Sequence, residues 1–247
     1  MAGHSKFKNI MHRKGAQDAK RAKVFTKIAR EIFVAAKEGD PDPDRNPRLR
    51  LAISNARSSN MPKDKVEAAI NKANSTGEGE SYTEIRYEGY GPGGVAIIVE
   101  VLTDNKNRSA AEVRSAFTKS GGNLGENGSV SFMFDRCGMI SYPISSGDAE
   151  EMMDAAIEFG AEDCKQEDGF YQIITSAEDV MQVAEQIALK FGEAESVELT
   201  FIPQNTIDVD MATAEKIVRL VDVLEENDDV QRVMGNFAIS DEIIAKL

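Results

Sequence analysis

Lys6, Lys8, Arg13, Lys14, Lys20, Arg21, Lys23, Lys27 and Arg30 crowd the first thirty residues, where Asp18 is the single acid. Cations at this density do one kind of chemistry: they neutralise the phosphates of a polyanion, nucleic acid above all. The segment carries +8 in a chain of formal net charge −13. The residues through Lys72 sum to +9, which leaves −22 on the remainder. A solvated helix face that happens to be basic is the plainer alternative. The spacing favours the polyanion. Lys6, Lys8, Arg13 and Lys14 lie along Gly-, Lys- and His-rich chain without periodicity, expected to be a mobile arm. His4, Phe7 and His12 are interleaved with them, and such rings stack on unpaired bases.

Other chemistry is harder to build. His4 and His12 are the only histidines, both in the arm, a poor place to hold catalytic geometry and a weak zinc signal. Gly91-Pro92-Gly93-Gly94 and Gly121-Gly122-Asn123-Leu124-Gly125 lack the strand–GxGxxG–helix context and the following Lys-Ser/Thr of a nucleotide cradle. They read as turns that need glycine. The acid clusters at Asp40–Asp44 and Asp148–Glu151 read as loop and helix-start acids. No enzyme, no metal and no cofactor are therefore expected. Lys106 and Arg108 stand where a strand end meets a helix start, a candidate second phosphate site. Capping of that helix by Asn107 or Ser109 is the reading the spacing favours there.

Apolar periodicity shows which elements position these residues. Val24, Ile28, Ile32 and Ala35 form a helical stripe from Gln17 to a stop at Gly39 and Pro41, with Lys20, Arg21, Lys23, Lys27 and Arg30 off the stripe. A second helix begins near Pro47 and a third after Asn60-Met61-Pro62, giving a small helical bundle. The pair could pass for a helix-turn-helix, but Lys63, Lys65, Asn71 and Lys72 share their face with Asp64 and Glu67.

Beyond the Asn74–Ser81 linker, period-two patterning predicts strands at 84–88 and 95–102, a helix over 109–119 and a strand at 130–134. Residues 138–202 then read βαββαβ, the ferredoxin-like order, with Ser176 and Asp179 forming a capping box. A helix over 212–226, a strand over 230–239 and a short final helix have no sheet of their own. They are expected to return to the sheet begun at residue 82. The predicted class is α+β: an N-terminal three-helix domain, then two α/β domains, one ferredoxin-like and inserted in the other. The expected boundaries are 1–77, then 80–134 with 205–247, and 135–204 for the insert.

At 41% apolar residues, each part has enough for a core, and no run of eighteen apolar residues exists to cross a membrane. MAGHSKFKNIMHRKG has no apolar stretch behind its charges, which argues against a secretory signal. Cys137 and Cys164 lack CxxC spacing and read as small buried hydrophobes, reduced in a cytoplasm.

MAGHSKFKNIMHRKGAQDAKRAKVFTKIAREI, NARSSNMPKDKVEAAINKA, YEGYGPGGVAIIVEVLTDNKNR and GGNLGENGSVSFMF together resemble the YebC/PmpR family. That family also includes the mitochondrial translational activator of cytochrome oxidase subunit I. The resemblance runs almost end to end. It implies three domains, one inserted in another, and no catalytic residues. It implies either DNA-binding transcriptional regulators or translation factors at the ribosome that ease synthesis of proline-rich or difficult segments. The stretch that resembles the family most specifically holds Lys6 to Lys14 and the basic helix Lys20 to Arg30.

The expected function is thus a cytoplasmic, non-enzymatic nucleic-acid-binding regulator, its partner DNA or ribosomal RNA, acting as a monomer. Promoter binding and ribosome-linked translation both stay open. An adaptor whose acidic domains hold a basic protein is the further alternative.

Overall fold

A computed structural model describes residues 17–75, 81–167 and 169–247, with side chains described from residue 21. The chain packs as two compact units. One draws its described residues from Met1–Lys27, Gly77–Asp135 and Ile202–Leu247, the other from Ile28–Thr76 and Arg136–Phe201.

Three helices come first: α1 (Gln17–Glu38), α2 (Pro47–Ser58) and α3 (Lys63–Ser75). Pro47 occupies the first turn of α2, where its missing N–H leaves nothing unpaired. Asn46 caps the helix by accepting the Leu49 N–H at 3.0 Å. Its amide reaches back to the Ala35 carbonyl at 2.7 Å, tying the cap to α1. Arg48 then bridges Glu31 and Glu38 on α1, at 3.0 and 2.9 Å. The second half of α1 is buried from Ile32 through Ala36, more than one stripe of the helix. The Lys72 ammonium of α3 lies 5.7 Å from the Phe33 ring centroid of α1.

The first unit holds an antiparallel sheet in the order β3-β1-β2-β9, formed by β1 (Thr83–Tyr90), β2 (Ala96–Thr103), β3 (Asn123–Leu124) and β9 (Val230–Gly235). β2 is central and buried on both faces, as its near-continuous apolar sequence requires. Ile97, Val99 and Val101 pack under α4 (Lys106–Lys119) through Val113 and Phe117, and under α7 (Met211–Glu225) through Ile217, Leu220 and Leu224. β9 pairs with β2 from Ile97↔Gly235 to Val101↔Val230, so the C-terminal segment does return to the sheet begun near residue 82.

The second unit contains β4 (Phe134–Pro143), α5 (Ala149–Glu158), β5 (Asp163–Glu167), β6 (Phe170–Thr175), α6 (Val180–Phe191) and β7 (Ser196–Pro203) in the order β5-β6-β4-β7. With β4 antiparallel to β6 and β6 to β5, this is the ferredoxin-like arrangement. Gly138 is fixed by packing, because a Cβ there would run into the Thr175 side chain at the end of β6 and the Val180 side chain at the start of α6. The expected capping box does not form: Ser176 Oγ accepts the Asp179 N–H at 3.1 Å and donates to the Asp179 carboxylate at 2.7 Å, a turn ahead of α6, whose own cap position is Asp179 without a side-chain bond. The core of this unit also takes Leu51 from α2, and Arg50 pairs with Glu185 of α6 at 2.9 Å.

Three further expectations are corrected in detail. Residues 131–133 form a 3₁₀ turn and not a strand, because the buried Glu88 carboxylate takes the N–H groups of Val130 and Ser131 at 3.0 and 2.8 Å. The strand over 230–239 breaks at Asn236. Past it, β10 (Phe237–Ala238) leaves the sheet to pair in parallel with β8 (Ile207–Asp208). α4 begins at Lys106, with Asn105 and not Asn107 or Ser109 as its cap. A short α8 (Asp241–Ile244) completes the chain.

Candidate nucleic-acid interface

The basic face of α1 follows from spacing. Lys20, Lys23, Lys27 and Arg30 recur at intervals of three and four residues, and about 3.6 residues per turn brings them to one side of a helix. Arg21 lies off that line, with its guanidinium 5.4 Å from the Phe25 ring centroid, a cation–π contact on its own helix.

The middle of the stripe has an internal partner. The Lys23 ammonium donates to the Glu226 carbonyl at 2.9 Å, and the Lys27 ammonium to the Glu225 carbonyl at 2.9 Å. These carbonyls belong to the C-terminal end of α7, where backbone acceptors lack helical donors and the helix dipole is negative. Glu225, Glu226 and Asp228 add side-chain charge to the same stretch. Two of the expected phosphate-binding lysines therefore also close the end of a helix some two hundred residues away. Arg30 is half-buried on α1. Lys20 is placed on α1 by its backbone, while Lys6, Lys8, Arg13 and Lys14 lie outside the described residues, as does the expected arm.

At the candidate second phosphate site, Asn105 accepts the Arg108 N–H at 3.1 Å and so caps α4. The Arg108 guanidinium is held between Asp229 at 2.6 Å and Asp104 at 2.9 Å. Those carboxylate hydrogen bonds, to Asp229 first and then to Asp104, hold Arg108 even more firmly protonated than usual. Asp229 is buried and also accepts from the Thr103 and Ser109 hydroxyls, at 2.9 and 2.7 Å. Lys106 offers its carbonyl to the Tyr87 hydroxyl at 3.5 Å. Arg108 thus anchors the strand-to-helix joint through two carboxylates.

The helix-turn-helix candidate is likewise engaged with its own chain. Asn60, with φ of 53°, makes the turn between α2 and α3. Lys63 lies 3.6 Å from Glu67, and Lys72 sits over Phe33.

Sequence reasoning missed Asn105 as the cap and Asp229 as the anchor. Asp229 stands in the acidic run 225–229 with nothing local to mark it as buried. Among the described residues no cluster of His, Cys, Asp or Glu is arranged to hold a metal ion. No described helix is long and apolar enough to cross a membrane. Neither cysteine forms a disulfide, and both are buried.

Two family descriptions match the chain: a TACO1/YebC N-terminal domain over residues 5–76, and the TACO1/YebC second and third domain over residues 82–237. A probable transcriptional regulatory protein of Rickettsia bellii (strain OSU 85-389) is 59% identical over 244 residues, covering 98% of this chain and 95% of that one. Its counterpart in Rickettsia bellii (strain RML369-C) is 58% identical, covering 98% and 96%. The crystal structure of a conserved hypothetical protein from Aquifex aeolicus superposes with a TM-score of 0.86 at 45% identity, covering 93% of this chain and 95% of the other. With its helical N-terminus, inserted ferredoxin-like unit and end-to-end similarity to these relatives, the chain belongs to the TACO1/YebC family.

Proposed function

We propose that the chain is a cytoplasmic, non-enzymatic regulator of gene expression that binds nucleic acid through its basic N-terminal segment. The observation that carries this reading is the charge polarity, +8 within thirty residues against −22 beyond Lys72. Cations packed this densely draw in phosphate backbones, while the acidic remainder repels them, so nucleic acid is bound at one end and not coated. The Rickettsia relatives, named probable transcriptional regulatory proteins, support a regulatory role and make promoter DNA the first reading.

Ribosome-linked translation control is the second reading, and a specific observation favours it. His4, Phe7 and His12 stand among the arm cations, a composition suited to irregular, partly unpaired RNA. In either reading Lys6, Lys8, Arg13, Lys14, Lys20, Arg21 and Arg30 meet phosphates. Lys23 and Lys27 serve both the nucleic acid and the α7 terminus. The division at 1–77, 80–134 with 205–247, and 135–204 is the functional division we propose, with the first part docking as a monomer.

Crosslinking in cells, followed by sequencing of the attached nucleic acid, separates the readings. Promoter DNA among the recovered fragments supports transcriptional control, and ribosomal RNA supports translation. Recovery of neither overturns the nucleic-acid reading and leaves the adaptor.

A further inference from the structure

A cleft of about 330 Å³ opens in the first unit, lined by Phe132, Met133, Gln204, Asn205, Ile207 and Asn236, with Gly94 at its edge. None of these side chains is charged, so whatever enters is uncharged where it enters. The apolar part faces solvent: Phe132 is 66% exposed and Ile207 38%.

The polar part is built. Asn236 is only 5% exposed. Its Oδ1 accepts the Ala96 N–H at 2.7 Å, which fixes the orientation of the amide. The backbone of Asn236 is fully engaged, donating to the Ala96 carbonyl at 3.1 Å and accepting from the Ile207 N–H at 2.7 Å. Its side-chain Nδ2, with two N–H donors, has no partner among the described residues. Asn236 lines the cleft, so these donors are open to an acceptor from outside the chain. Gln204 complements it. Its Nε2 donates to Asp135 at 2.9 Å, which leaves the amide oxygen as an acceptor.

We propose that this cleft holds one unpaired base of the bound nucleic acid. A base is flat, uncharged and edged with donors and acceptors. It can stack on an exposed phenyl ring while a fixed donor and an acceptor meet its edge. An extended peptide fits less well, because strand addition needs free main-chain groups. Here the N–H groups of Gln204 and Ile207 and both main-chain groups of Asn236 are already paired. The inference deepens the nucleic-acid reading and rests on it. The basic N-terminus supplies affinity without regard to sequence, and the cleft supplies selectivity for unpaired strands.

The test measures binding of the full chain to a short single-stranded RNA and to the same sequence as a duplex, for the wild type, Phe132→Ala, Phe132→Trp and Asn236→Asp. Phe132 is exposed, so its replacement leaves the core untouched. Asn236→Asp keeps the acceptor for Ala96 but removes the donors.

Loss of one stack weakens single-strand binding by Phe132→Ala between about fivefold and a hundredfold. Duplex binding is unchanged, Phe132→Trp retains single-strand affinity, and Asn236→Asp, which lacks the donors, also weakens single-strand binding. Equal losses on single strand and duplex, or no loss on either, overturn the cleft proposal while leaving the N-terminal reading standing. Binding of an uncharged extended peptide that Phe132→Ala abolishes, with RNA binding intact, overturns it in favour of a peptide groove. A wild-type chain that binds DNA duplex but neither RNA form overturns the cleft proposal alone, and one that binds neither RNA nor DNA sinks the underlying nucleic-acid reading.

Discussion

Glu88 and Asp229 are the buried carboxylates on which the first unit turns, and each has a measurable consequence. Burial alone would raise the Glu88 pKa. The N–H groups of Val130, Gly128 and Ser131 and the Arg86 guanidinium outweigh burial and leave it lowered. A lowered carboxylate contributes stability that is complete above the ordinary glutamate value, about 4.3, and fades as pH falls through the folded value. Replacing Glu88 with Gln should therefore cost about 1–3 kcal/mol in urea unfolding at neutral pH. The gap between variant and wild type should narrow as the solution is acidified below that value. Asp229→Ala removes the shared acceptor of two buried hydroxyls and one of the two carboxylates that hold Arg108. It should cost about 1–3 kcal/mol, the penalty of buried hydrogen-bond partners left unsatisfied. Thermal unfolding of the purified variant measures it.

Among the elements, the contact between α1 and the end of α7 decides how the basic helix is presented. Lys23 and Lys27 each satisfy a terminal carbonyl, and changing either to Gln should lower stability by about 0.3–1 kcal/mol, less at high salt. Matched melts at low and high ionic strength check both halves of that statement. This contact was not legible in the sequence, because its partners lie 203 and 198 residues apart. The helices themselves were legible, since Gly39, Pro41, Pro47 and Pro62 punctuate them. So was the ferredoxin-like order, where Gly160 and Gly192 close helices of clear period. The misread elements share one cause. Ser131 lost its strand to a carboxylate forty-three residues upstream, and Asn236 broke another by bonding Ala96. Local patterning reports propensity: at Ser131 a distant carboxylate captured the backbone, and at Asn236 the residue's own amide took the Ala96 N–H of β2. The basic residues of α1 could be read from composition, but their second use, as a cap, could not.

At the scale of the whole molecule the central proposal is that the N-terminal cations make the phosphate contacts and the acidic remainder makes none. A neutralised variant with Lys20, Arg21, Lys23 and Lys27 changed to Ala should lose most of its affinity for any nucleic acid, whatever the sequence. Its stability should drop only by the modest capping loss at α7. The most direct measurement is the affinity of the wild-type chain for nucleic acid as a function of salt. If about six cations meet phosphates, affinity falls by roughly a thousandfold between 50 and 200 mM salt, and the slope flattens in the neutralised variant. An affinity that stays level across that range, or a slope the four substitutions leave unchanged, contradicts the claim.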